Sequence, residues 1–254
     1  MIYPGLCSIT FRKLSVGEII FQASKSGLQA IEWGGDVHVP PGNLEVAEVV
    51  RRMCGDVGLL TPSYGSYFRL TPDSTAEEFA PVLDTAQALG AKTVRVWADK
   101  QGSDKMYADY RRRLADAGHT LADAAARAGC VLAFEYHLGT ATDTNESAAG
   151  LIAAINHPNT RLYWQPRQKL SADERVESLR GTLGVLAHLH VFQWVGERDE
   201  RRPLAEGVAD WRRYFALAAE AGGERCAYLE FVAGDDLAAF QRDAATLREL
   251  VGGA

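Results

Sequence analysis

The 254-residue sequence predicts an α/β fold of the (β/α)8 TIM barrel class, built as a single domain over residues 1–254. Three observations carry that expectation. Short apolar runs of strand length alternate eight times with amphipathic helical segments. The length is close to the ~250 residues such a barrel usually needs. Several apolar runs also end in a polar residue, as strands do when their C-terminal ends share one active-site mouth. The clearest is Val131–His137, where Val-Leu-Ala-Phe runs straight into Glu135, Tyr136 and His137.

In chain order, residues 2–9 form the first strand, with proline near its start where it is tolerated. Ser15–Ser26 is an amphipathic helix that buries Ile19, Ile20 and Ala23, and Gly27 stops it. Leu28–Trp33 is the second strand, running into Gly34-Gly35-Asp36-Val37-His38. Asn43 caps a helix over Leu44–Val57. Leu59–Tyr64 is strand three, followed by a loop carrying Tyr67, Phe68 and Arg69. Thr75–Leu89 is helical, and Lys92–Ala98 alternates as a strand with Arg95 and Trp97 on one face.

A long helix over Asp104–Gly129 leads into the Glu135 strand, and Thr144–Ile155 is the fifth helix. Leu162–Gln165 is a short sixth strand, Glu174–Leu183 a helix and Val185–Trp194 the seventh strand. Val208–Ala221, Ala227–Val232 and Asp235–Val251 complete the series as helix, strand and helix. An open doubly wound sheet would carry a glycine fingerprint after its first strand, and Ser8-Ile9-Thr10-Phe11-Arg12 has none.

Composition narrows the function classes. Hydrophobic residues make up 47% and charged residues 24%, the proportions of an ordinary globular protein. A net charge of −6 argues against a nucleic-acid surface, which should be basic. No apolar run approaches the roughly 18 residues of a spanning helix, and Met1–Thr10 has no signal-peptide pattern. A cytoplasmic enzyme with no membrane partner is therefore expected. Cys7, Cys54, Cys130 and Cys226 form no CxxC pair and read as reduced core residues.

The polar residues expected at strand ends are Glu32, His38, Arg95, Glu135, His137, Gln165, His190 and Glu230. Glu135 and His137 share a face by parity, as do His188 and His190. Carboxylates and an imidazole gathered at one mouth suit a hard divalent cation: Mn²⁺, Mg²⁺, Co²⁺ or Zn²⁺. For Glu135 the alternative is a buried salt bridge with Arg95. His188, one layer deeper, is expected to pack in the core. Trp33, Trp97, Trp164 and Trp194 are equally suited to walling a sugar ring or filling the core. Arg198–Arg202 is a charge run, read as a solvated face or a lid.

Gly27–Glu32, Phe134–His137, His188–Val191 and Tyr228–Glu230 together resemble the xylose-isomerase-like TIM barrels. These include sugar and sugar-phosphate isomerases and epimerases of the tagatose 3-epimerase type, and the likeness runs from Leu6 to about Phe240. The resemblance implies a metal-dependent isomerase or epimerase of a sugar or sugar-like polyol. Glu135 and Glu230 would transfer protons through an enediolate. It also implies one divalent metal ion, first of all manganese, on Glu135, Gln165, His190 and Glu230, with no nucleotide cofactor. Gln165 stands where the family has an aspartate, so the set carries one negative charge fewer.

Trp33, His38, Arg95, Trp97, His137, Trp164 and Gln193 are the expected substrate-binding residues. The expected partner is a small carbohydrate, within a homodimer or homotetramer. A lyase, dehydrating a substrate or cleaving a C-glycoside, is the first alternative, because it begins with the same proton abstraction. A non-catalytic sugar-binding barrel and an abasic-site endonuclease relative are the others, and six histidines with a −6 charge speak against the endonuclease.

Overall fold

The computed structural model describes residues 1–196 and 200–253. In chain order the elements are β1 (Ile2–Cys7), α1 (Val16–Lys25), β2 (Ala30–Gly34), α2 (Leu44–Asp56), β3 (Leu60–Leu70) and α3 (Ala76–Leu89). Then come β4 (Thr93–Ala98), α4 (Ala108–Arg127), β5 (Val131–Glu135), α5 (Asn145–Ile155), β6 (Thr160–Trp164) and α6 (Ala172–Arg180). The chain ends with β7 (Leu186–Val191), the hairpin β8 (Trp194–Val195) and β9 (Glu200–Arg201), α7 (Val208–Glu220), β10 (Arg225–Leu229) and α8 (Leu237–Gly252). The larger strands form a closed parallel barrel in the order β1-β10-β7-β6-β5-β4-β3-β2, so the (β/α)8 expectation holds.

Local chemistry sets the helix boundaries. Ser15 with Glu18, Thr75 with Glu78 and Ser171 with Glu174 each form a capping box, two reciprocal hydrogen bonds that satisfy orphan N–H groups. Gly90 ends α3 at φ +80°, a left-handed conformation that glycine adopts without penalty. Among the described residues no helix is long and apolar enough to cross a membrane. All four cysteines are buried thiols outside any disulfide.

Two compact units can be distinguished. The first comprises Met1–Glu32, Arg52–Thr61 and the described residues from Trp164 onward. In it β1 pairs with β10 and with β2, matching Gly5 to Tyr228, Leu6 to Leu229 and Cys7 to Glu32. β10 in turn pairs with β7, matching Tyr228 to His190. Strand parity then sends Gly5, Cys7, His188, His190, Tyr228 and Glu230 to one side of the sheet. Gly5 is needed there: a β-carbon would stand 2.6 Å from Tyr228 Cδ1 and 2.9 Å from the Ala30 carbonyl oxygen.

The second unit comprises Trp33–Arg51 and Pro62–Tyr163. Its β3 runs well past the expected end at Tyr64, and the stretch read as a loop continues the strand to Leu70. The register against β4 shifts between Gly65 and Arg69, with Tyr67 at φ +60°. Ser66 stabilises the irregularity, donating its hydroxyl to the Arg95 carbonyl and accepting the Phe68 N–H. The helix expected from Asp104 begins at Ala108, after a short 3-10 turn over Ser103–Lys105. Arg111 holds that break by donating to the Ser103 and Met106 carbonyls.

The seventh strand ends at Val191 rather than at Trp194, which belongs to the β8–β9 hairpin. Gly5→Ala should destabilise the fold by about 1–3 kcal/mol, because its methyl meets backbone as well as the Tyr228 ring. Urea unfolding measures this directly, and an unchanged midpoint would contradict the packing described.

Candidate functional site

His190 is the centre of the first unit's polar cluster. It lies on β7 with its side chain fully buried, and Glu32 in the middle of β2 is equally buried. The Nε2–H of His190 donates to Glu32 Oε1 at 3.1 Å. A carboxylate only accepts, so Nε2 carries a proton, and this contact turns the ring so that Nδ1 points away from Glu32. That nitrogen faces Gln165 Oε1 at 3.2 Å and Glu230 Oε2 at 3.5 Å. Both are acceptor oxygens, so the position beside Nδ1 suits either a proton on the ring or a cation.

Cys7 completes the cluster, its Sγ lying 3.4 Å from Glu32 Oε1. Ligand atoms of Cys7, His190 and Glu230 all fall within 4.8 Å of one another, and all three residues are buried. The donor set fits a divalent cation, with Glu32 as the outer carboxylate that fixes the imidazole.

One layer deeper, His188 Nδ1 accepts the Cys226 N–H at 2.9 Å. Burial pushes His188 down to about 4, so it is a neutral core histidine, as its depth in the strand suggested. Burial also pushes the Cys226 thiol up to about 12.

The second unit gathers different side chains. Glu135 ends β5 and is buried, and its carboxylate accepts from both Arg95 Nη1 and Trp97 Nε1 on β4. Arg95 is itself buried, so the pair neutralises two charges in the interior. Trp97 is further enclosed by the Arg69 guanidinium, 3.7 Å from its ring centre, and by His137, stacked at 5.2 Å. The Nδ1–H of His137 donates to the Leu138 carbonyl at 2.7 Å, leaving Nε2 as an acceptor. His38 packs edge-on to Trp33 at 5.9 Å.

Several of the expected substrate-binding residues have other neighbours in the structure. Trp33 and Trp164 are fully buried. Each is next in sequence to an inward residue, Glu32 or Gln165, so parity turns it to the other side of its strand. Trp164 packs against Trp211 and Tyr214 of α7 and donates to Ser178 Oγ of α6, which makes it a helix-packing residue. Trp97 donates to Glu135 and is flanked by Arg69 and His137. Gln193 lies against Gly207, where a β-carbon would collide with its amide.

Of the charge run, Arg198 and Asp199 lie outside the described residues. Arg201 pairs with Asp235 at 2.5 Å and Arg202 with Glu206 at 3.0 Å. Cys7 is the residue that sequence reasoning left in the core. No sequence signal marked it, because the first strand was expected to run on to residue 9 and the partners of Cys7 lie on other strands.

A parallel barrel whose strand ends carry acidic and imidazole donors defines a class of TIM barrels with a candidate cation site. Within it, the chain belongs to the xylose isomerase-like TIM barrel family, whose model matches residues 20–250. A search of curated proteins returned no match. Among solved structures, the probable 3-DHS dehydratase AsbF from Bacillus anthracis is similar at 19% identity, covering 98% of this chain and 99% of that one, with a TM-score of 0.83. The IOLI protein with a bound zinc atom shares 16% identity over 99% of both chains, with a TM-score of 0.81. A D-psicose 3-epimerase in the presence of D-fructose shares 15%, covering 99% of this chain and all of the other, at a TM-score of 0.73. At these identities the likeness establishes the fold.

The Arg95–Glu135 pair allows a direct test of its electrostatics. Arg95→Leu strands a buried carboxylate and should cost about 3–5 kcal/mol of stability. Adding Glu135→Leu should recover most of that loss. Chemical denaturation of both variants decides it: a single variant as stable as the wild type would mean that the pair is not buried.

Proposed function

We propose that the protein is a metal-dependent isomerase or epimerase of a sugar or sugar-like polyol, moving a proton at the carbon beside a carbonyl. The observation that supports this most is the aim of His190, held at Nε2 by buried Glu32 with Nδ1 turned to Gln165 and Glu230. In this reading His190 and Glu230 hold the divalent cation and the Gln165 amide oxygen is a neutral donor. A cation held there would supply Lewis-acid stabilisation of the negative charge that builds up on proton removal. The similar folds of a D-psicose 3-epimerase and of a zinc-bound relative support the assignment at the level of family.

The chain's own groups divide the remaining work. Glu230 is the carboxylate that takes the proton, and His190 keeps it oriented. Glu135, whose carboxylate is engaged by Arg95 and Trp97, is assigned to proton return rather than to the cation. His137 offers its Nε2 acceptor to a substrate hydroxyl.

A second reading, a lyase such as a dehydratase, is favoured by one observation. Arg95 and Trp97 already occupy Glu135, and elimination needs only one proton acceptor whereas inversion at carbon needs two. The fold shared with a probable dehydratase is compatible with it.

A deuterium-exchange screen of ketoses and keto-glycosides with added metal tests both readings. Solvent deuterium should enter the carbon beside the carbonyl, and Glu230→Gln should slow this by about 10²–10⁴-fold. Near-normal exchange in that variant would sink the assignment of Glu230. Glu135→Gln separates the readings: loss of inversion with exchange retained supports epimerisation, whereas an undiminished product lacking its β-substituent identifies a lyase. Gln165→Asp should raise metal affinity by adding a charge to the donor set. A titration showing equal or weaker binding would remove Gln165 from the cation's neighbours.

A further inference from the structure

Cys7 occupies a position that neither the resemblance nor the proton chemistry uses. It is the last residue of β1, the strand between β10 and β2. Pairing of Leu6 with Leu229 brings Cys7 level with Glu230, and pairing of Cys7 with Glu32 brings it level with the carboxylate that holds His190. The register of three strands thus delivers a sulfur to the cluster. The resulting spacing, with ligand atoms within 4.8 Å of one another, is close to what one ion requires. Donors at about 2.0–2.3 Å from a tetrahedral zinc stand roughly 3.3–3.8 Å apart, so side-chain adjustments of about an ångström close the site.

Charge points the same way. Gln165 brings no negative charge to the cluster. A Cys7 thiolate beside Glu230 restores the total of two that balances a divalent ion. The thiol donates to Glu32 at 3.4 Å, and on metal binding that proton leaves for solvent while sulfur takes the cation. Sulfur is a soft donor, which suits zinc and disfavours manganese and magnesium.

The geometry points to Cys7 as the third protein ligand, through Sγ, of a cation shared with His190 and Glu230, and to zinc as the ion the site selects. This rests on the metal reading above and adds to it a donor and a preference.

The test is a cobalt titration of the metal-free protein, followed by absorption spectroscopy. The expected result is a thiolate-to-cobalt charge-transfer band that saturates at one cobalt per chain. Cys7→Ser should abolish the band and lower zinc affinity relative to manganese by about 100-fold. Cys130→Ser, altering a buried thiol elsewhere in the fold, should keep it. Saturable cobalt binding to the wild type without a thiolate band overturns the role of Cys7 and leaves the cation on His190 and Glu230. No cobalt binding at all overturns the metal reading itself. The wild-type spectrum decides even if Cys7→Ser fails to fold.

Discussion

The hydrogen bond between Glu32 and His190 is the constraint on which the site depends. Both side chains are fully buried, so neither has water to fall back on. The bond fixes the orientation of the imidazole, and that orientation turns Nδ1 toward Gln165 and Glu230. Everything proposed for Glu230, Gln165 and Cys7 follows from that direction. The bond also links β2 to β7 through side chains, in a cluster where β1 and β10 supply the other donors. A structural ion pair would end there. Here the other ring nitrogen meets two more oxygens, an arrangement that suits a proton or a cation.

Glu135 is a useful contrast. It too is a buried carboxylate at the end of a barrel strand, yet Arg95 and Trp97 compensate it fully within its own unit. The two glutamates that look equivalent in sequence therefore differ in chemistry. Glu230 lies beside the His190 imidazole. The other sits among donors and is already neutralised. That asymmetry is why the shared fold, which hosts both epimerases and a dehydratase, does not by itself fix the reaction.

Much of this was legible in the sequence. Apolar runs ending in Glu135, His190 and Glu230 reveal the strands, and alternation of strands with helices reveals the barrel. Strand parity alone would also have excluded Trp33 and Trp164 as sugar walls, since each neighbours an inward residue. Other features depend on contacts far apart in sequence. The continuation of β3 to Leu70 relies on the Ser66 hydroxyl meeting the Arg95 carbonyl, and the late start of α4 relies on Arg111. Cys7 looked like any small apolar residue because its partners lie on three other strands. Only the register of β1 with β2 and β10 shows what it meets.

Nitrogen-edited NMR of the His190 imidazole, before and after zinc is added, tests the central claim most directly. The account predicts that Nε2 keeps its proton on Glu32 throughout, and that zinc binding produces a large shift confined to Nδ1. A doubly protonated imidazolium bridging Glu32 and Glu230, unmoved by zinc, would contradict it.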